Sequence, residues 1–299
     1  MRHRKIAVIG VASGYGAGDR GCQDGPEVLR TIEILKDLDR TGNDFHWDET
    51  ICLTQQPEPD PMTAVRDISQ RLALSVTDHL ETGDFPLVIG GDHSCAIGTW
   101  SGVRAHLNAT EGADARLGLI WIDAHMDSHT PRTSPSQYIH GMALACLLGY
   151  GEPLLAEIAC AAPKLLPRNV CLIGVRSFEW GEANLLSSLG VRIYFMEEVH
   201  RRGMNAVLDE ARRHVSQASF GYGISIDLDA LDPREEPGVG TPVPNGLLRK
   251  EVTEALACIH SDQQLLAFEI VEYNPYRDLH FTTAQAVHDL CRSLILSQS

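Results

Sequence analysis

Short apolar segments rich in β-branched residues recur along the chain, and longer stretches with helical periodicity separate them. The seven candidate strands span residues 6–11, 87–89, 117–122, 170–174, 191–195, 223–228 and 265–271. Continuous apolar strands that alternate with helices are typical of a parallel sheet that is buried on both faces. The alternation therefore predicts an α/β fold with three layers (α/β/α), in which a central, mostly parallel sheet lies between helices.

Helices are predicted from Asp24 onward, over 64–81 and over 205–216. The sequence has no internal repeat or low-complexity block, and the loop-rich stretches 54–61 and 232–245 are of ordinary length for functional connections. A chain of 299 residues is long enough for one large domain or two smaller ones. We expect one domain over residues 1–299.

Polar side chains that can bind metal ions follow three of the apolar segments. The first of these segments is followed by GGDHS at 90–94, the second by DAHMD at 123–127, and the third carries DLDALDP at 227–233. Alternate side chains of an extended backbone lie on the same side, so the spacing of two residues in the second and third motifs lets the polar groups converge. Open α/β sheets hold their ligands at the carboxyl ends of the strands. The three motifs therefore predict one shared site.

Two imidazoles and four carboxylates make up the predicted metal site: His93, Asp123, His125, Asp127, Asp227 and Asp229. This mixture of oxygen and nitrogen ligands suits Mn²⁺ or a similar divalent ion better than a structural zinc, which would use cysteine. Burying so many adjacent carboxylates without a cation would cost several kcal/mol per charge. Six ligands exceed the needs of one open site. We therefore expect two ions, about 3.5–4 Å apart and bridged by shared carboxylates, which generate hydroxide from water at neutral pH.

Charge and composition exclude several classes of partner. The formal net charge is −15, and a surface this acidic repels nucleic acid and anionic lipid headgroups. No apolar stretch approaches the roughly 20 residues that a membrane span needs. The basic start of the chain followed by residues 6–12 resembles a signal peptide, but a first buried strand explains the same residues. The eight cysteines include no C-x-x-C pair, so we expect reduced thiols and a cytoplasmic location.

Two other patterns carry little weight. The glycines at 14, 16 and 18 follow the first strand but lack the G-x-G-x-x-G spacing of a dinucleotide loop. Ser94 and Ser225 do not lie in a G-x-S-x-G motif, so a serine hydrolase is weakly supported.

The three motifs together resemble the metal motifs of the ureohydrolase family, which includes arginases, agmatinases, guanidinobutyrases and formimidoylglutamases. The resemblance extends from the strand at Ile6 and the segment 21–26 to the segment 272–275, so it covers nearly the whole chain. Membership implies an eight-stranded parallel sheet between helices, a binuclear manganese centre, and hydrolysis of a guanidino or formimidoyl group.

The resemblance also implies roles for individual residues. One ion would be held by His93, Asp123, Asp127 and Asp227, and the other by Asp123, His125, Asp227 and Asp229. Asp127 would additionally orient the attacking hydroxide. His140 matches the histidine that transfers a proton to the departing amine, and its ordinary pKa range suits that task. Glu272 matches the carboxylate that pairs with the substrate guanidinium.

Within the family the sequence is most similar to arginases. Segment 130–142 resembles the loop that binds the substrate α-carboxylate, and segment 174–182 resembles the one whose acidic residues receive the α-amino group. The implied substrate contacts are His129, Ser134, Ser136, Glu179, Glu182 and Thr241. Two of them depart from the usual arginase pattern, because His129 stands where arginases usually carry Asn and Glu179 where they usually carry Asp.

We therefore expect a manganese-dependent arginase that converts L-arginine and water to L-ornithine and urea. The alternative within the same enzyme class is a ureohydrolase for agmatine, guanidinobutyrate or another guanidino or amidine compound. A third hypothesis is a non-catalytic metal-binding regulator, against which the complete set of ligands, His140 and Glu272 argue. The family commonly forms trimers or hexamers, so a homo-oligomer is also expected.

Overall fold

A computed structural model of the chain describes residues 5–36, 38, 44–54, 58–217 and 219–295. In this part of the chain, eight parallel strands form one sheet in the order β2-β1-β3-β8-β7-β4-β5-β6. They are β1 (Lys5–Val11), β2 (Asp44–Ile51), β3 (Phe85–Ile89), β4 (Leu117–Ile122), β5 (Leu165–Val175), β6 (Arg192–Phe195), β7 (Gly221–Asp227) and β8 (Leu265–Val271). The predicted α/β fold with a central parallel sheet is confirmed.

Among the described residues, ten α-helices connect and cover the strands. They are α1 (Gly25–Thr31), α2 (Pro61–Thr82), α3 (Cys95–Glu111), α4 (Ala143–Leu147), α5 (Pro153–Ala156), α6 (Trp180–Leu189), α7 (Met196–Arg202), α8 (Met204–Ser216), α9 (Arg249–Ala257) and α10 (Thr282–Ile295). None of the described helices is both long enough and apolar enough to cross a bilayer.

Two apolar layers hold the helices to the sheet. One face of the sheet packs against α2, α3 and α4, and the other packs against α1, α7, α8, α9 and α10. The inner strands β3, β4 and β7 are buried along their whole length, which explains why their sequences are continuous apolar runs rather than alternating ones. The three layers expected from the sequence are therefore present.

The strand β2 is the element that the sequence analysis missed. It is an edge strand with the sequence DFHWDETI, and only Phe45 and Ile51 are buried. An edge strand can keep polar side chains on both faces because water covers it, so it has no apolar run to reveal it. The predicted helices at 24, 64–81 and 205–216 correspond to α1, α2 and α8. Part of the predicted loop 54–61, residues 55–57, lies outside the described residues.

Candidate metal centre and substrate cleft

Three neighbouring strands bring the predicted metal ligands to one edge of the sheet. The ligands follow β3, β4 and β7, which lie close together in the sheet with β8 between β3 and β7. After β3 the chain turns through Gly90 and Gly91 before reaching His93. A Cβ atom at Gly91 would lie 1.8 Å from the carbonyl oxygen of Ser13, so this close approach of two backbones requires glycine.

The first group of ligands surrounds the imidazole of His93. Its Nδ1 atom lies 3.3 Å from Asp123 Oδ2, 3.0 Å from Asp127 Oδ2 and 3.2 Å from Asp227 Oδ2. This atom is buried and has no hydrogen-bond partner among the described residues. An octahedral hard cation with bonds near 2.1 Å holds neighbouring ligand atoms about 3.0 Å apart. The unpartnered nitrogen and the three nearby carboxylates therefore fit a divalent cation.

The second group of ligands shares Asp123 with the first. His125 Nδ1 lies 3.5 Å from Asp123 Oδ1 and 3.0 Å from Asp229 Oδ2. Because the two oxygens of Asp123 face different groups, its carboxylate is placed to bridge two ions. Asp227 belongs only to the first group in this geometry. Its Oδ2 lies near His93 Nδ1, and its Oδ1 accepts a hydrogen bond of 2.8 Å from the backbone N–H of Asp229.

The pKa values of these carboxylates reflect their crowding. Burial and the charges of Asp229 and Asp123 raise the pKa of Asp227 well above its ordinary value. Burial and the charge of Asp123 raise the pKa of Asp127 to about 6. Burial also acts to raise the pKa of Asp123, but the two imidazoles beside its carboxylate, those of His125 and His93, outweigh burial and lower that pKa. Cations bound here would relieve the repulsion that disfavours the ionised form of Asp227.

A shell of buried hydrogen bonds fixes the ligands. The indole Nε1 of Trp121 donates to Asp123 Oδ2 at 2.8 Å, and the Trp121 ring stacks on His93 with a centroid distance of 4.0 Å. On its far side, His93 Nε2 lies 3.0 Å from the hydroxyl of Ser225, which donates to Glu269 Oε2 at 2.6 Å. Such partners fix the tautomer and orientation of a metal-binding imidazole.

No structural role was predicted from the sequence for Trp121, Ser225 or Glu269. Two of them carry a signal that could have been used, because Trp121 and Ser225 each lie two residues before a predicted ligand on the same strand. Side chains two residues apart on a strand point to the same side. Glu269 is a buried carboxylate on an apolar strand, and nothing in its local sequence indicates its partner.

His140 and Glu272 form a buried pair beside the first group. His140 Nδ1 lies 3.1 Å from Glu272 Oε1, and the same oxygen accepts a 2.9 Å hydrogen bond from the backbone N–H of His93. Burial alone would lower the pKa of His140, but the hydrogen bond and the charge of Glu272 outweigh it and raise that pKa to about 9. Glu272 itself has a φ of 70° and Asp127 a φ of 44°. Positive φ values are costly for these residues, so the fold holds both side chains at the site against local strain.

The remaining predicted contacts lie on loops and on the start of α6. His129 Nε2 is 2.9 Å from Glu179 Oε2 and 3.5 Å from Glu182 Oε2. Glu179 and Glu182 also form a capping box at the first turn of α6. Thr241 donates to Asp229 Oδ2 at 2.8 Å. Ser134 does not line the cleft; its hydroxyl accepts a hydrogen bond of 2.9 Å from the backbone N–H of Gln137 and so helps to shape the loop.

A cleft of about 160 Å³ opens above the two ligand groups. We call the residues at its base the floor: His93, Asp123, His125, Asp127, Asp227 and Asp229. We call the residues around its opening the rim: His129, Ser136, Glu179, Glu182 and Thr241. The cleft is also lined by His140. All predicted site residues except Ser134 therefore line the cleft or contact a residue that does.

Comparisons with known proteins agree with this geometry. The family model described as the Arginase family matches residues 4–297. The arginase of Bacillus caldovelox is 39% identical, with 97% of this chain and 98% of that protein covered. The arginase of Bacillus subtilis strain 168 is 38% identical, with 98% of each chain covered. The crystal structure of arginase from Bacillus cereus superposes with a TM-score of 0.91 at 38% identity, covering 99% of both chains. The resemblance found in the motifs is confirmed.

Proposed function

Because the chain belongs to the arginase family, we propose that it is an arginase that hydrolyses L-arginine to L-ornithine and urea. The enzyme is a hydrolase that acts on the C–N bond of a guanidino group. The observation that carries the proposal is the buried His93 Nδ1 atom, which faces three carboxylate oxygens at 3.0–3.3 Å without a hydrogen bond. That arrangement supports a cation at the base of a cleft of small-molecule size.

We propose two Mn²⁺ ions as the cofactor. His93, Asp123, Asp127 and Asp227 would hold one ion, and His125, Asp123 and Asp229 the other, with Asp227 as a further bridging ligand once both ions are present. When bound, such a pair supplies hydroxide from water at neutral pH. The absence of thiolate among the ligands and the excess of carboxylate oxygen favour manganese over a softer metal.

The residues of the chain would position the reactants. Asp127 would accept a hydrogen bond from the nucleophile. The Oε1 atom of Glu272 is already occupied by His93 and His140, so its Oε2 atom is the one available to accept from the substrate guanidinium. His140 is anchored through Nδ1, which leaves Nε2 to pass a proton to the departing nitrogen as the C–N bond breaks.

The rim would bind the α-ammonium and α-carboxylate groups of the substrate. Glu179 and Glu182 would receive the α-ammonium group, and Ser136 and His129 would donate to the α-carboxylate, with Ser134 shaping their loop and Thr241 closing the opposite side. We further propose that residues 1–299 form one catalytic domain, because a single sheet carries the whole floor. A cytoplasmic location is proposed because the cysteines include no C-x-x-C pair. A trimeric or hexameric assembly is proposed on the basis of the family resemblance.

One observation favours a second candidate, a ureohydrolase for another guanidino compound. His129 is hydrogen-bonded to Glu179 at 2.9 Å, so both groups are partly occupied before a substrate arrives. A site that hydrogen-bonds a polar substrate group discriminates against analogues without that group only when its side chains are free to form those hydrogen bonds. A substrate that lacks an α-carboxylate or an α-amino group does not need His129 or Glu179 as a contact. The hydrogen bond between these two residues would therefore weaken its binding less than that of arginine.

The test is a comparison of substrates with the Mn²⁺-loaded protein. Urea release from arginine, agmatine, guanidinobutyrate, guanidinopropionate and guanidine would be measured at equal concentrations. We expect kcat/KM for arginine to exceed the others by at least 100-fold. A preference for another compound would replace the proposed substrate and leave the hydrolytic site intact, whereas no release from any of them would overturn the enzyme itself.

A further inference from the structure

The rim contains a third group of metal-competent atoms that is separate from the floor. His129 is fixed in place because its Nδ1 atom lies 3.2 Å from the hydroxyl of Thr133. Its Nε2 atom therefore points at two carboxylate oxygens, Glu179 Oε2 at 2.9 Å and Glu182 Oε2 at 3.5 Å. The imidazole and Glu182 are buried, and Glu179 is 63% exposed at the mouth of the cleft. One nitrogen and two carboxylate oxygens thus converge on one point.

The spacing of these atoms fits a tetrahedral ion. Zinc bonds to nitrogen and oxygen of about 2.0–2.2 Å place ligand atoms about 3.3–3.6 Å apart. The distance to Glu182 already lies in that range, and the three ligand atoms are within 4.8 Å of one another. The distance to Glu179 needs to lengthen by a few tenths of an ångström, which a mostly exposed side chain can supply. Three protein ligands leave the fourth position for water.

The capping function of the two glutamates does not compete with this use. Glu182 Oε2 accepts a hydrogen bond of 3.1 Å from the backbone N–H of Glu179, and its Oε1 accepts one of 3.2 Å from Ser128. A carboxylate oxygen has two lone pairs, so it can accept a backbone hydrogen bond and still bind a cation. The cap holds Glu182 in the geometry that the ion needs.

The electrostatics of the cleft also favour another cation. Five carboxylates line it, and none of the described residues in its lining is a lysine or an arginine. Burial raises the pKa of Glu182 to about 8, so the other four lining carboxylates and the buried Asp123 behind them carry the charge near neutral pH, and two divalent ions on the floor would supply only four positive charges against these five. A third dication at the rim would therefore enter a region that is still negative.

We propose that His129, Glu179 and Glu182 form a third divalent-cation site at the rim, which takes Zn²⁺ or an ion of similar preference. On binding, the ion takes the place of the hydrogen bond between His129 Nε2 and Glu179 Oε2. The consequence for catalysis rests on the proposed function: the ion occupies the place of the substrate's α-ammonium group, so zinc and an amino-acid substrate exclude each other.

The test counts metals and needs no turnover. Protein loaded with Mn²⁺ and freed of excess metal would be titrated with Zn²⁺ by calorimetry, and both metals would be measured by mass spectrometry after dialysis. We expect one bound zinc per chain with the manganese retained, and a zinc anomalous signal beside His129 in crystals. Zinc that displaces manganese one for one, or that gives no signal at the rim, would overturn the proposal.

Matched variants separate binding from damage to the fold. His129→Asn removes the nitrogen ligand, and Glu182→Gln removes a charge while its amide oxygen still caps α6. Both should weaken zinc binding at least 10-fold and keep the manganese. The control is His46→Asn, the same substitution on the edge strand β2, where the imidazole lies 3.8 Å and 4.0 Å from two aspartates; it should leave zinc binding as in the wild type. Equal weakening in the control would contradict the assignment.

The exclusion of substrate is measured separately. L-Ornithine carries the α-ammonium group and is not hydrolysed. Free Zn²⁺ would be buffered at the same concentration with and without it, because ornithine itself chelates zinc, and saturating ornithine should then lower the zinc affinity of the protein at least 10-fold. If ornithine left the zinc affinity unchanged, zinc and the α-ammonium group would not share a position. The number of zinc ions bound per chain would still test whether the site exists. A protein that bound zinc at the rim but released no urea from arginine would overturn the proposed function and leave this inference standing.

Discussion

The floor and the rim of the cleft are built in different ways. The floor residues follow the ends of β3, β4 and β7, and five of the six are less than 10% exposed; His125 is the exception at 25%. The rim residues lie on loops and on the first turn of α6, and Glu179 is 63% exposed. Two of the floor side chains are held by buried partners, Asp123 by Trp121 and His93 by Ser225. The rim is held by contacts among its own members and with nearby loop residues such as Thr133, and Thr241 also donates to Asp229 of the floor.

This difference predicts different responses to substitution. On the floor, one carboxylate contacts several neighbouring ligands, so its loss should alter the whole metal centre. On the rim, each group contacts a part of the substrate that does not react, so substitution should alter affinity and preference more than the chemical step. Loops tolerate exchange of side chains better than buried strand ends, and His129 and Glu179 both lie on the rim.

The largest effect is expected for Asp227→Ala on the floor. The substitution removes a carboxylate that lies 3.2 Å from the His93 Nδ1 atom, so the centre should lose metal and activity together. We expect a decrease in kcat of at least 1000-fold and fewer than two metals per chain by elemental analysis.

The control is Asp232→Ala, the same substitution five residues along the chain. Asp232 is as buried as the ligands, but it accepts hydrogen bonds from Arg234 and from the backbone N–H of Gly246 rather than facing the metal groups. It should lower stability and retain both metals. If Asp227→Ala kept its metals and its activity, the floor would not be a metal centre.

A smaller loss is expected for His140→Asn. The residue lines the cleft and is anchored by Glu272, so it should act on the leaving group without holding metal. General acid catalysis contributes about 100-fold to 10,000-fold, and we expect kcat to fall within that range while the metal content stays at the wild-type value. Parallel pH–rate profiles of variant and wild type, differing only in height, would reject a role in proton transfer.

The same residue predicts a pH dependence of stability in the metal-free protein. Its folded pKa is raised to about 9 from an unfolded value of 6.5, so the native state binds the proton more tightly. The stabilisation is therefore complete below about pH 6.5 and is lost as the pH rises through about 9. The two pKa values differ by an amount that corresponds to about 3 kcal/mol.

Urea unfolding of the wild type and of His140→Asn at pH 6 and at pH 10 measures this effect. We expect the variant to be less stable than the wild type at pH 6, with a difference that shrinks by about 3 kcal/mol at pH 10. A difference that is equal at both pH values would show that the pair with Glu272 does not carry the proton.

The floor was predictable from the sequence, and the physical reason is its regularity. Where Asp and His, or two Asp residues, occupy alternate positions at the end of an apolar strand, their side chains lie on the same side of the backbone. This follows from the strand geometry alone and does not depend on the rest of the fold. The edge strand β2 was not predictable in the same way, because water covers one of its sides and its residues are mostly polar. The sheet order could not be deduced either, since β8 is the last strand in the chain and lies between β3 and β7.

The rim was predictable only as a set of residues. The sequence gives no sign that His129 hydrogen-bonds to Glu179, because the two lie 50 residues apart on separate loops. The positive φ values of Asp127 and Glu272 are equally hidden, since tertiary packing imposes them against the local preference of both residues. Ser134 shows the limit of motif transfer, because the structure uses its hydroxyl to shape the loop instead of to line the cleft.

The smallest effect is expected for His129→Asn on the rim, and it sharpens the contrast with the floor. The substitution frees Glu179 from its 2.9 Å hydrogen bond, so the carboxylate becomes available to the substrate's α-ammonium group. We expect KM for arginine to fall about 2-fold to 10-fold, with a smaller change in kcat, and the ratio of kcat/KM for arginine over agmatine to rise. Agmatine is the internal control because it lacks the α-carboxylate. A KM that rises more than 10-fold would instead identify the imidazole as a specific substrate contact. A decrease confined to kcat would mean that the rim takes part in the chemical step and is not distinct from the floor.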